Sequence, residues 1–142
     1  MSDSIQNSSR APKPVGLYPH ARRVGNLWFL SGVGPRSAEG SKIPGVTLNE
    51  AGEIESYDIA EQCRSVFQNV RYILEDVGSS WDDIVDVTVF LTNMKDDFAT
   101  YNKMYAEYFQ SNQPCRTTVE INCLPTPIAI ELKVVAEVRT DK

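Results

Sequence analysis

The last third of the chain constrains the fold most. From Thr117 to Cys123, and again from Ile128 to Val138, side-chain character alternates residue by residue. A period of two belongs to strands, whose successive side chains point to opposite faces. In the first run Thr117, Val119, Ile121 and Cys123 alternate with Arg116, Thr118, Glu120 and Asn122. In the second, Ile128, Ile130, Leu132, Val134, Ala136 and Val138 alternate with Ala129, Glu131, Lys133, Val135 and Glu137. Leu124-Pro-Thr-Pro127 joins them, and so short a link predicts an antiparallel hairpin. The more apolar sets then face the core, and Arg116, Thr118, Glu120, Glu131 and Lys133 share the other face.

Upstream, Ile59, Cys63, Val66, Phe67, Val70, Ile73, Leu74 and Val77 recur at helical spacing. Asp58 and Glu61 fit an N-cap with its reciprocal partner, and Gly78 fits the glycine just past the helix end. Residues 27–33 and 84–91 read as strands, the first of them buried. A second helix is predicted over 96–110, with Phe98, Tyr101, Tyr105, Tyr108 and Phe109 on its packed side. No basic residues interleave that stripe, so it reads as core and not as a base-stacking platform. Residues 34–55 hold Gly34, Pro35, Gly40, Pro44, Gly45 and Gly52 and form a long loop with a short strand or two. Loops of such length in small domains are often functional. Residues 1–10 read as a flexible N-terminal tail, and 11–142 as a single domain.

The element order, strand–helix–strand–helix–strand–strand, is an α+β arrangement with two helices packed on one face of a mixed sheet. One helix layer leaves the second face in water or against another copy. Val135 and Ala129 on it, with Trp28-Phe29-Leu30, favour a homo-oligomer with a polar pocket at the seam.

Counting residues narrows the chemistry. The net charge of −5 disfavours nucleic acid, which wants clustered Lys and Arg. Cys63, Cys115 and Cys123 make no disulfide framework and suggest a reducing compartment. With His20 the one histidine and no CxxC, the count disfavours a zinc site of His and Cys ligands and leaves a carboxylate-only metal site open. The polar start is no signal peptide, and no apolar run approaches the ~20 residues that span a bilayer. The expectation is a cytoplasmic protein with no membrane partner. There is no Ser-His-Asp arrangement, no Walker loop and no GxGxxG; Gly32-Val-Gly34 only hints at backbone exposed to an anion. An Arg and a Glu on one sheet face read either as a cross-strand ion pair or as a site. In a site, the guanidinium fork suits a carboxylate and the Glu manages a proton.

Arg116-Thr-Thr-Val-Glu-Ile-Asn-Cys-Leu-Pro125, followed by Ile130-Glu131-Leu132, resembles the C-terminal signature of the Rid (YjgF, reactive intermediate deaminase) family, including the fifteen-residue step from Arg to Glu. The resemblance spans roughly residues 11–140, through Val15-Gly-Leu-Tyr18, Leu30-Ser-Gly32, Cys63 to Val70 with its Asn69, and Thr88-Val-Phe-Leu91. It implies a chorismate-mutase-like fold, a homotrimer with active sites between subunits, and hydrolysis of enamines and imines to ketones and ammonia without a cofactor or metal. The Gly-Leu-Tyr-Pro-His-Ala-Arg-Arg run and the 36–55 loop are similar to the subgroup that deaminates 2-aminomuconate to 4-oxalocrotonate in aromatic catabolism.

Carried over by residue, the resemblance makes Arg116 the clamp on the substrate carboxylate and Glu131 the group that activates water. Tyr18 lines the cleft, and Ser31 and Gly32 lie near the ligand. Thr118 stands where many members have cysteine, so only a hydroxyl or a backbone amide can serve there. A second substrate carboxylate would fall to His20, Arg22 or Arg23, with the two arginines favoured; the other reading of that patch is a solvated turn. The alternatives are a general 2-aminoacrylate or 2-imino acid deaminase, and a non-catalytic or RNA-related regulatory protein, against which the acidic charge counts.

Overall fold

A computed structural model describes residues 4–39 and 42–139. Among these, the chain runs β1 (Ile5–Gln6), β2 (Ala21–Val24), β3 (Leu27–Leu30), β4 (Val46–Leu48), β5 (Ile54–Tyr57), α1 (Ile59–Asp76), β6 (Ile84–Leu91), α2 (Met94–Tyr108), β7 (Cys115–Glu120) and β8 (Ile130–Glu137). Six strands form one mixed sheet in the order β1-β2-β3-β8-β6-β7, while β4 and β5 pair apart as a small antiparallel ribbon. Both helices cover one face of the large sheet. The core between them holds Leu30, Val87, Val89, Leu91, Leu132 and Val134 from the strands, and Cys63, Phe67, Val70, Leu74 and Tyr101 from the helices. The α+β architecture with a one-sided helix layer is therefore as the element order predicts.

The predicted hairpin does not form. β6 lies between the last two strands, parallel to β7 and antiparallel to β8. β6, α2 and β7 make a parallel strand–helix–strand crossover, and residues 121–129 carry the chain past the end of β6 to its far side. Alternation says which residues share a face of their own strand; it does not name the neighbour. The change also turns β7 over. Arg116, Thr118 and Glu120 stand beside Val87, Val89 and Leu91 and so face the helices, while Thr117 and Val119 share the open face with Glu131 and Lys133. Ala129, expected on the open face, is instead fully buried and donates its N–H to Gln62 Oε1.

Local chemistry explains the helix ends. The Asp58 carboxylate accepts from the N–H groups of Ala60 and Glu61 at the start of α1. Glu61 does not return the bond and pairs with Arg64 at 2.9 Å. At the other end Gly78, at φ +89, donates to Glu75 O while Ser79 N–H reaches Leu74 O, the two bonds of a Schellman cap. Asn93 caps α2 by accepting from Asp96 N–H, which starts that helix at Met94, two residues before the expected 96. Of the predicted aromatic stripe, Tyr101, Tyr105 and Phe109 are buried, and Phe98 stays exposed.

Two segments differ from the sequence reading. The expected tail is docked: Ile5 and Gln6 pair with Arg22 and Ala21, Ser8 is buried, and Arg10 binds Asp76 at 2.6 Å at the end of α1. Polar composition alone suggests a loose end, but these polar groups find partners in His20 and at the end of α1; residues 1–3 lie outside the described residues. The expected strand over 27–33 ends at Leu30, bows away from β8, and returns at Val33, which exchanges two backbone hydrogen bonds with Leu132. β2, which the paired arginines disguised, turns into β3 through Gly25-Asn26, with Gly25 at φ +60. Among the described residues no helix is long and apolar enough to cross a membrane.

Candidate active site

The bow at Ser31-Gly32 opens a cleft of about 350 Å³ on the sheet's open face, with Glu131 in its wall. Tyr18, Ser31, Gly32, Arg36, Thr126 and Ile128 also line it. The volume suits a small organic acid. Gly32 carries no side chain there for a steric reason: a Cβ would collide with Glu131 Oε2 and sit 3.0 Å from its Cδ. Burial pushes the Glu131 carboxyl above its ordinary 4.5. A carboxyl so placed exchanges protons more readily near neutral pH than an exposed one.

The other groups in the cleft have defined partners. Ser31 donates its hydroxyl to Pro19 O at 2.7 Å and its N–H to His20 O. The Ser31 amide is therefore not free to bind a ligand, whereas the Gly32 N–H has no partner among the described residues. The Tyr18 hydroxyl accepts from Val15 N–H at 3.2 Å, which leaves its own proton for a ligand. Lys133 donates to Leu30 O across the gap that the bow leaves.

Arg116 is a second, separate feature. Its guanidinium lies over the rings of Tyr105 (4.7 Å) and Tyr101 (5.3 Å) and donates to Asn102 Oδ1 at 2.8 Å. Thr118 shares a 2.9 Å hydrogen bond with the Tyr101 hydroxyl on the same flank. The aromatic stripe is thus core and also a platform that holds one arginine in place. Arg116 pairs with Val87 and Glu131 with Phe90, on either side of β6. That puts them about 10 Å apart along the strands and about 10 Å across. They also face opposite sides of the sheet, so the expected Arg–Glu pair on one face is not made within a chain. Arg116 and Thr118 belong to one half of the predicted site, and Tyr18, Ser31, Gly32 and Glu131 to the other.

The candidates for a second carboxylate do not line the Glu131 cleft. His20 is buried, its Nδ1 accepting from Ser8 N–H at 2.8 Å and its Nε2 donating to Pro12 O at 2.8 Å. With both ring nitrogens taken it is a structural histidine that pins the N-terminal segment. Arg22 is paired beside Phe29 on the open face, and Arg23 stands beside buried Trp28 and donates to Gly25 O. Period-two alternation separates two adjacent arginines that look like one patch in the sequence. The cation that does line the cleft is Arg36, which the sequence reading passed over. Its signal was there: it follows Gly34-Pro35 in the long loop already marked as functional. Among the described residues no group of three or more His, Cys, Asp and Glu side chains could hold a metal ion.

Comparison with known proteins agrees with this architecture. The family model described as endoribonuclease L-PSP matches residues 8–138. A RutC family protein of Pyrococcus abyssi is 38% identical over 136 residues, covering 96% of this chain and 98% of its own. Reactive Intermediate Deaminase A of Arabidopsis thaliana, a chloroplast protein, is 32% identical over 132 residues, which is 93% of this chain and 64% of that one. The crystal structure of Escherichia coli TdcF with bound serine superposes with a TM-score of 0.81 at 32% identity, covering 96% of this chain and 98% of that chain. With the family model matching residues 8–138 and a relative 38% identical across 96% of its length, the chain belongs to the Rid (YjgF/RutC, endoribonuclease L-PSP) family.

Proposed function

We propose that the protein hydrolyses enamines and imines of 2-amino acids to 2-keto acids and ammonia, with 2-aminomuconate as the preferred substrate and 4-oxalocrotonate as the product. The observation that carries the reading is the Glu131 carboxyl, desolvated against the bare backbone of Gly32 in a cleft of ligand size. A relative named as a reactive intermediate deaminase, and another holding serine, support it.

Three copies of the chain complete the site. The open sheet face, with exposed Phe29 and Val119, and the unpaired outer edge of β7 are the surfaces that meet. Arg116 of one copy then faces Glu131 of the next, and each of the three seams holds one site. In it the 2-amino-dienoate tautomerises to the imine. Arg116 clamps the C1 carboxylate and draws charge from C2. Glu131 takes a proton from water, whose oxygen adds to C2, and the Gly32 N–H steadies the carboxylate. Glu131 returns that proton to nitrogen to complete the carbinolamine, then takes the new hydroxyl proton and passes it to the amino group, so the C–N bond breaks, ammonia leaves and the C–O bond becomes the ketone. Thr118 shapes the Arg116 wall through Tyr101. No cofactor enters these steps, because the iminium carbon is already electrophilic, and a reducing cytoplasm suits the unpaired cysteines.

The test is ammonia release from 2-aminomuconate and from 2-aminoacrylate, each generated in place by a coupled enzyme. Glu131→Ala and Arg116→Ala should each lower kcat/KM by about 10²–10⁴-fold while the oligomer persists. Near wild-type rates in either variant overturn the mechanism. Preference for aminoacrylate would favour a general imino acid deaminase. The family description as an endoribonuclease supports a second reading, RNA cleavage. Against it stands the net charge of −5, and retention of RNA by the protein at low salt would revive it.

A further inference from the structure

Arg36 is half-buried in the Glu131 cleft, and three features together fit it to receive an anion there. It has no acidic partner among the described residues: like Arg22, Arg23, Arg71 and Arg116, and unlike Arg10, Arg64 and Arg139, it holds no carboxylate. One of its guanidinium N–H groups donates to Lys13 O at 2.8 Å, which fixes the plane of the fork and leaves the other donors free. Its backbone is clamped from beneath by α1. Buried Asn69 donates to Gly34 O at 2.9 Å and Arg36 O at 2.8 Å, and Ser65 donates to Pro35 O at 2.6 Å. An unpaired cation on a segment held by three side-chain hydrogen bonds is organised before any ligand arrives, which lowers the entropic cost of binding one.

Charge then selects the ligand. A monocarboxylate enamine needs one cation, and Arg116 of the neighbouring copy supplies it in the mechanism above. A second anion brought beside Glu131 would be repelled unless it met a positive group of its own. We infer that Arg36 receives a distal carboxylate of the substrate, and that the site is therefore selective for dicarboxylate enamines over monocarboxylate ones. This rests on the enamine-hydrolase reading, and it gives Arg36 the role that the sequence suggested for His20, Arg22 or Arg23. The inference concerns binding: both substrate classes follow the same chemical steps, and Arg36 moves no proton.

An inert pair of ligands isolates the effect. Hexa-2,4-dienedioate and hexa-2,4-dienoate share a six-carbon diene chain and differ by one carboxylate. Calorimetric titration of the wild-type oligomer should show at least about ten-fold tighter binding of the dianion, the scale of one charged bidentate contact. Arg36→Met should reduce that preference to about two-fold or less, and Arg36→Lys, which keeps charge but loses the fork, should retain part of it. Thermal melting checks that both variants fold. A wild type with no preference, or an Arg36→Met variant that keeps it, overturns the inference. Ammonia release measured alongside separates the two readings. If wild type deaminates either enamine but the binding preference does not depend on Arg36, this inference alone fails. If wild type releases ammonia from neither, both fall.

Discussion

Gly32 and Glu131 form one close steric pair, and the proposed mechanism uses both although only one of them has a side chain. Gly32 has no positive φ, so its backbone accepts alanine without strain. The added methyl would meet the far end of the flexible Glu131 side chain, which can swing aside at little cost to folding. Gly32→Ala should therefore change stability by less than about 1 kcal/mol. On the proposed mechanism it should still lower kcat/KM about 10²-fold, because the carboxyl is displaced from the water that mechanism assigns to it. Denaturant melts and steady-state kinetics on one preparation check both halves, and a large loss of stability would show that the close approach is a packing requirement instead. Cys63 marks the contrast at this scale: wholly buried, its thiol is pushed up to about 12 by desolvation and plays a packing role only.

Between elements, the N-terminal segment shows how a polar stretch becomes part of a fold. Asp76, at the end of α1, accepts from Ser8 Oγ at 2.5 Å and from Arg10 at 2.6 Å. The Arg10 hydrogen bond, followed by that from Ser8, holds its carboxyl below the ordinary 3.8. A lowered value in the folded state means that this contribution is complete above 3.8 and is lost as the pH falls through the lower, folded value. Asp76→Asn should loosen residues 5–10 at pH 7, raising amide exchange there by about ten-fold while the central strands stay protected. The difference from wild type should shrink as the pH falls through that lower, folded value, where the wild-type carboxylate is also neutralised. Uniform loss of protection across the sheet would mean that this contact supports the whole domain. His20 belongs to the same dock, since its ring bridges Ser8 and Pro12.

For the whole molecule, the decisive fact is that Arg116 and Glu131 face opposite sides of one sheet, with β6 between them. A single chain cannot bring both to one substrate. The proposed trimer makes a quantitative prediction. Arg116→Ala and Glu131→Ala chains, each inactive alone, should regain about a quarter of wild-type activity when unfolded together and reassembled at equal amounts. A quarter is the chance that a given seam receives its arginine from one parent and its glutamate from the other. No recovery in mixed oligomers of confirmed composition would place both groups in the same chain's site. Light scattering of the wild type, with a trimer mass expected, tests the assembly itself.

Much of this was legible in the residues. α1 was readable nearly to its last residue because its apolar spacing, its Asp58 cap and its Gly78 terminator are local, and each acts within a turn or two of chain. The two final strands were readable because alternation is also local, and the Arg116 and Glu131 motifs pointed to the family. Strand neighbours were not readable. Whether β7 pairs with β8 or with β6 depends on where α2 packs, a contact between segments distant in sequence. That one tertiary choice turned Arg116 to the helix face. A second, the bow between Leu30 and Val33, set Gly32 against Glu131 and brought Arg36 into the cleft in place of His20, Arg22 and Arg23. By itself the sequence determined which elements form and which side chains carry chemistry, since those follow from short-range sterics, periodicity and side-chain type. Only the tertiary structure decided which of those side chains can reach one another, because sheet order and facing are set by long-range packing that no local pattern encodes.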